Sequence, residues 1–237
     1  MTMPYAEVIG DPIAQSKSPA IHRFWLEKLG IEADYRATRV SEAEVADYLT
    51  ERKADPDWRG CNVTMPLKQT VQPHLESVKE PAASIGAVNT IYPDNDRLLA
   101  GTNTDAAGFL EPLTKELQSP HLFRMARILG AGGAARAIAH ALARENFTLV
   151  IAARRVEQAE DLIAGLPQTT QHHAVLLDHF AQTTDFEFDD RQGLLDLVIN
   201  ASPLGMRGKS PLVFDWSHAP PGAIAYDIVT DPLETDF

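Results

Sequence analysis

Four short polar stretches in the first 105 residues bring together serine, lysine, asparagine and aspartate, the residue types that bind anions and move protons. In SKSP, Ser16 and Ser18 flank Lys17. Helix capping is one explanation, since Ser18 stands before Pro19 and proline suits the first helical position. That leaves Ser16 without a role. An anion site is the other explanation, with both hydroxyls and a helix N-terminus converging on a carboxylate or phosphate. GCNVTMPLK places Asn62, Thr64 and Lys68 on a strand end, a turn and the first turn of an expected helix. A cation there meets the wrong end of the helix dipole and exchanges protons more readily, which suits acid-base chemistry; the alternative is an ordinary exposed lysine. GAVNT puts Asn89 in an otherwise apolar strand, where asparagine is depleted. GTNTD ends in Asp105, a carboxylate for chemistry or equally the cap of a helix over 106–117.

A fifth stretch, RILGAGGAARAIAHAL, carries a different chemistry. Gly130, Gly132 and Ala135 fit G-x-G-x-x-G/A between an expected strand and an expected helix. The first glycine permits a tight turn, the second lets a pyrophosphate approach the backbone, and the alanine lets helix pack closely on strand. The next strand ends in VIAARRVEQAE, with Arg154 and Arg155 where an NAD site usually places an acid. A guanidinium pairs with a 2′-phosphate that an acid would repel. The expected cofactor is therefore NADP. VINASPLGM, with Asn200, Ser202 and Met206, follows a later strand, at the edge where doubly wound sheets bind ligands.

The elements that must position these residues follow from periodicity. Strands are expected at 5–9, 34–40, 59–63, 87–92 and 97–101, the last two as a hairpin across PDND. Helices are expected at 19–29 (amphipathic), 41–53 (opened by a Ser41/Glu44 capping box) and 66–75 (opened by Pro66). A linking helix over 104–117 is strained by Pro112. Beyond it, strands at 125–130, 148–153, 194–200 and 222–229 and helices at 133–145 and 156–166 imply right-handed crossovers and a parallel sheet. The fold class is α/β: a mixed-sheet domain followed by a doubly wound Rossmann-type domain, with the boundary near residue 103.

Composition narrows the partners. The 237 residues carry 21 basic and 33 acidic side chains, a net charge of −12, so nothing draws the chain non-specifically to nucleic acid or to anionic membrane. Cys61 is the one cysteine, which rules out an intrachain disulfide and a cysteine-built zinc site. The N-terminus lacks the pattern of a secretion signal, and no apolar run reaches the ~18 residues of a membrane span. A cytoplasmic enzyme, monomer or homodimer, acting on a small molecule without a metal is the expectation.

GDPIAQSKSP, NVTMPLK, GAVNT, GTNTD, GAGGAARA, INASPLGM and YDIVTDP, in that order between residues 8 and 232, resemble the shikimate dehydrogenase family. The resemblance implies reversible NADPH-dependent reduction of 3-dehydroshikimate to shikimate, on the way to chorismate and the aromatic amino acids. It also implies a substrate domain over 1–103 and an NADP domain over 104–237. On this resemblance Ser16 and Ser18 bind the substrate carboxylate, Asn62, Thr64 and Asn89 the ring hydroxyls, and Lys68 with Asp105 forms the catalytic pair. Gly130, Ala131, Gly132, Gly133 and Ala134 form the pyrophosphate loop. Arg154, beside Arg155, takes the 2′-phosphate, while Asn200, Ser202 and Met206 belong to the cofactor side near nicotinamide. Three departures stand out. Arg23 replaces a frequent Asn, Thr230 replaces a tyrosine that often contacts substrate, and family helices carrying a substrate-binding glutamine would follow DPLETD. A truncated or reduced family member is expected from the last point. The rival expectations are a broader quinate/shikimate dehydrogenase and a non-catalytic metabolite-binding protein on the same fold.

Overall fold

A computed structural model describes residues 3–167, 171–180, 194–216, 219–220 and 222–237. The chain divides into two compact units, Met1–Thr104 and Asp105–Phe237. In the first, β1 (Tyr5–Gly10), β2 (Asp34–Arg39), β3 (Trp58–Val63), β4 (Ser77–Val78), β5 (Thr90–Pro93) and β6 (Leu99–Thr102) form one mixed sheet in the order β2-β1-β3-β5-β6-β4. Helices α1 (Ser18–Leu29) and α2 (Val45–Ala54) follow β1 and β2, and the strands they lead into lie parallel to β1. The hairpin of β5 and β6 then runs antiparallel beside β3. A short α3 (Ala82–Ile85) precedes it. One core collects Tyr5, Ile9, Val45, Leu49, Trp58, Val63, Leu67 and Ile91; a smaller cluster holds Val8, Ile13 and Tyr35, with Leu26 of α1 packed on it.

Three expectations change here. Helix α1 forms where periodicity puts it, but Ile21, Phe24, Trp25 and Leu29 stay largely exposed. His22 and Leu26, four residues apart, are the side that meets the sheet at Tyr35, so positions 21, 24 and 25 turn away. Residues 66–75 are not an α-helix but a run of turns ending in a 3-10 turn at Gln72–His74. The Lys68 carbonyl, which an α-helix would use at residue 72, instead accepts from the Val88 amide at 2.7 Å, and Pro73 has no N–H to give. The capping box is half formed. Glu44 reaches back to the Ser41 amide at 2.8 Å and its hydroxyl at 2.6 Å, but the helix begins only at Val45.

Arg97 ties the hairpin tip to α2. It adopts φ 61° in a turn whose Asp94 carboxylate accepts the amides of Asp96 and Leu98. Its guanidinium then donates to the carbonyls of Arg52, Lys53, Asp55 and Trp58, at 2.6 to 3.3 Å. In the last turn of α2 the Lys53 carbonyl finds its partner in this distant arginine, which also adds to the bond that the Arg52 carbonyl accepts from the Asp55 amide at 3.2 Å.

The second unit opens on a broken helix. In place of one helix over 104–117, α4 (Asp105–Leu110), a 3-10 turn at Glu111–Leu113 and α5 (Thr114–Gln118) follow one another, with Pro112 at the break. Then β7 (Phe123–Leu129), β8 (Thr148–Ala153), β9 (His173–Leu176), β10 (Leu194–Asn200) and β11 (Ile224–Asp227) build an all-parallel sheet ordered β11-β10-β7-β8-β9. Strand β9 lies outside the expected set; it is a four-residue edge strand with both ends exposed, and α8 (Leu177–Phe180) follows it. On one face, α6 (Gly133–Arg144) and α7 (Val156–Ala164) bury Ala135, Ile138, Ala139, Leu142, Ala159 and Leu162 with Ala126, Ile128, Leu149, Ile151, Leu197 and Ile199. The other face gathers Leu129, Ala152, Val198, Leu212 and Phe214.

Arg127 and Asp196, on adjacent strands β7 and β10, form an ion pair almost fully out of solvent. Burial pushes the Asp196 carboxyl up, to about 6. Removing one partner strands the other charge in the interior. Asp196→Ala should lower the unfolding free energy by about 3–5 kcal/mol in urea titrations, whereas Arg127→Met with Asp196→Leu should recover most of that loss.

Candidate active site

In the first unit the polar stretches meet at the carboxyl ends of β1 and β3. Gly10 ends β1, and a Cβ there would lie 2.6 Å from the Thr64 methyl and 2.7 Å from the Met65 carbonyl oxygen. Only glycine lets NVTMP pass so close. Asn62, on β3, donates from Nδ2 to Thr90 Oγ1 at 3.2 Å and to the Asn89 carbonyl at 3.4 Å, and accepts the Tyr35 hydroxyl at 2.5 Å. Asn89 is buried. Its Oδ1 accepts from Thr90 Oγ1 and the Thr104 amide, and its Nδ2 donates to Thr104 Oγ1. Asn103, also buried, donates to the Ala87 carbonyl at 2.9 Å. Lys68 lies between the buried Leu67 and Val71, with its carbonyl on Val88. Because residues 66–75 form turns, no helix dipole acts on Lys68, and its backbone is fixed instead by the GAVNT loop.

Ser16, and not Ser18, makes the side-chain bond at the start of α1. Ser18 is the first residue of α1 and caps nothing with its side chain, while the Ser16 hydroxyl accepts the Ser18 amide at 3.3 Å. The Ser18 carbonyl accepts from His22 Nδ1 at 2.9 Å, and the His22 ring stacks on Tyr35 at 4.0 Å. The serine stretch and Asn62 are therefore linked through His22 and Tyr35. Cys61 is buried, and burial pushes its thiol well above the ordinary range, so it is not a nucleophile.

In the second unit Asp105 opens α4, one peptide bond after Thr104. Gly130 donates to the Ala152 carbonyl at 2.7 Å and has φ 121°; a Cβ on it would lie 2.9 Å from the Ala201 carbonyl oxygen. A Cβ at Gly132, at the start of α6, would meet no atom within 4 Å. That open backbone, followed by Gly133 and Ala134 at the N-terminus of a twelve-residue helix, suits a pyrophosphate. Arg154 and Arg155 follow β8, exposed and without an ion pair among the described residues, so both guanidiniums suit an added phosphate. The residues present thus fit NADP.

Asn200 and Ser202 spend their side chains on their own loop. Asn200 is fully buried; it donates to the Leu204 carbonyl and Asp227 Oδ1 and accepts the Ser202 amide and hydroxyl. Asp227 also accepts the Val229 amide at 2.9 Å and the Thr235 hydroxyl at 2.6 Å. Met206 sits half-buried in the loop that Asn200 shapes, and Ala131 is half-buried behind Gly130. Tyr35, His22, Thr90, Thr104 and Asp227 are the polar residues that motif reading leaves unassigned. Asp227 stands inside the quoted YDIVTDP; the others fall in stretches read for periodicity or for a neighbour.

A mixed α/β sheet with polar strand ends, followed by a parallel sheet with a glycine turn and exposed arginines, defines a nucleotide-binding α/β protein of two units. Residues 8–91 match the shikimate dehydrogenase substrate binding domain. The shikimate dehydrogenase (NADP(+)) of Sphingopyxis alaskensis is 46% identical over 234 residues, 98% of this chain and 79% of that protein. The crystal structure of Thermus thermophilus shikimate 5-dehydrogenase in complex with NADP(H) and shikimate superposes with TM-score 0.77 at 34% identity, covering 99% of this chain and 82% of that one. Quinate dehydrogenase from Corynebacterium glutamicum in complex with NAD gives TM-score 0.77 at 28% identity, with 99% and 83% covered. The chain belongs to the shikimate dehydrogenase family.

Two stability measurements check these local assignments. Ser16→Ala should lower unfolding free energy by about 0.5–1 kcal/mol through its lost bond to the helix start, and Ser18→Ala should leave it unchanged. Gly130→Ala should cost about 1–3 kcal/mol, since its methyl meets the Ala201 carbonyl at an unfavourable φ.

Proposed function

We propose that this enzyme catalyses the reversible, NADP-dependent reduction of 3-dehydroshikimate to shikimate in the cytoplasm. The observation that carries this reading is the 46% identity, over nearly the whole chain, to a shikimate dehydrogenase named for NADP(+). Bound NADPH supplies the hydride that adds to the ketone carbon. The chain must supply the proton and hold the ring. Lys68 is the cation we assign to the developing alkoxide, where an ammonium stabilises charge and donates a proton. Asp105 is the carboxylate that orients Lys68 and a ring hydroxyl. Ser16 and Ser18 take the substrate carboxylate, and Asn62, Thr64 and Asn89 the ring hydroxyls.

The placement of these groups supports their roles. Lys68 is fixed through its own carbonyl, and Asp105 follows a threonine whose amide and hydroxyl both bond to Asn89. Arg154 and Arg155, exposed after β8, favour NADP over the NAD bound by the quinate dehydrogenase neighbour.

Reduction of NADP on adding shikimate is the direct test, with quinate and NAD run alongside. Failure of both acids with both cofactors overturns the assignment. Lys68→Ala should lower kcat by about 10²- to 10⁴-fold with little change in substrate affinity. Arg154→Ala should raise KM for NADP and leave KM for NAD nearly unchanged; equal losses would remove the 2′-phosphate role. Gly132→Ala should fold normally, because its methyl meets open space, yet bind NADP weakly.

A further inference from the structure

The hydrogen bonds around Asn62 and Asn89 run in one direction, and backbone groups set that direction. The Asn89 carbonyl can only accept, and it lies 3.4 Å from one end of the Asn62 carboxamide, so that end is Nδ2. The other end is Oδ1, and it faces the Tyr35 hydroxyl at 2.5 Å; Tyr35 must donate. Asn89 is fixed independently, because the Thr104 amide can only donate and meets Asn89 Oδ1 at 3.0 Å. Each link then follows. Tyr35 donates to Asn62, Asn62 Nδ2 to Thr90 Oγ1, Thr90 Oγ1 to Asn89 Oδ1, and Asn89 Nδ2 to Thr104 Oγ1.

Tyr35 is the head of this row, and it is well anchored. It is 4% exposed, its ring lies on His22 at 4.0 Å with 10° between planes, and His22 Nδ1 donates to the Ser18 carbonyl. Burial raises the phenol well above its ordinary range, so it stays a donor at any pH the protein tolerates. Nothing else among the described hydrogen bonds meets Asn62 Oδ1. Without the phenol, the Asn62 amide loses the contact that opposes its rotation.

We propose that Tyr35, braced by His22, is a positioning residue for substrate: it sets the Asn62 carboxamide, and through Thr90 and Asn89 the polar row that receives the ring hydroxyls. This rests on the reading above that Asn62 and Asn89 bind those hydroxyls. The row couples the substrate's hydroxyl side to the serine stretch assigned to its carboxylate. Lys68 takes its backbone position from Val88 and not from Tyr35, so the first effect of Tyr35 is on how substrate binds.

The test is steady-state kinetics on the full chain with shikimate and NADP. Tyr35→Phe keeps the stacked ring and removes the donor. It should raise KM for shikimate about tenfold, leave kcat within about twofold and leave KM for NADP unchanged. In an Asn62→Ala background the same substitution should change nothing further, since Tyr35 acts through Asn62. His22→Leu, which loosens the ring and keeps the hydroxyl, should give a smaller rise that also vanishes in Asn62→Ala, and it decides the matter if Tyr35→Phe does not fold. An active wild type whose KM is indifferent to both substitutions overturns this proposal alone, as does a rise that persists in Asn62→Ala. A wild type inactive on shikimate overturns the functional reading and the proposal with it.

Discussion

A carboxamide taken out of water must find partners for both its ends, and both units of this chain are organised around meeting that demand. Asn89 is the clearest case. Its main chain accepts the Val63 amide at 2.7 Å and donates to the Thr102 carbonyl at 3.0 Å, and its side chain clasps Thr104. One buried residue thereby joins the end of β3, the end of β6 and the start of the linking segment. Leaving any of those groups unpaired in the interior would cost on the order of 1–3 kcal/mol, so the arrangement is strongly specified.

The second unit repeats the solution with Asn200. There the buried amide fastens the loop after β10 to Asp227 on β11, and Gly130 brings the turn after β7 against the backbone of that loop. The glycine turn and the residues around Met206 are thus built as one surface at the carboxyl edge of the sheet. In each unit an asparagine that looks, from its motif, like a ligand-binding group is also a structural fastener. The two roles are compatible because a carboxamide offers more than one bond from each end.

This double use explains what could be read ahead of the structure. Strands β8 and β10 are predominantly apolar runs between turn residues, a local property, and like β1, β3 and β7 they lie within a residue or two of where the sequence pattern puts them. The interruption at Pro112 was legible for the same reason, since a missing N–H acts on its own helix. The turns over 66–75 were not legible. Their conformation is decided by Val88, twenty residues away, taking the Lys68 carbonyl. Nor could the bond from the Ser18 amide to the Ser16 hydroxyl be seen, because a serine directly before proline points to Ser18 as the cap. Tyr35 was hidden by its own alternation. On β2 it takes the position of a core residue, and only its partner across the sheet reveals that its hydroxyl matters.

The turn at Asp94–Leu98 shows how misleading exposure can be. Acidic, polar and placed at a hairpin tip, it has every outward mark of a spot where a tag or a guest sequence could be spliced in without harm. Yet the one basic residue there closes off the end of α2, more than forty positions earlier in the chain. Lengthening that loop would uncap a helix it does not touch in sequence. For anyone labelling, permuting or grafting this protein, the hairpin tip is joinery and should be left whole.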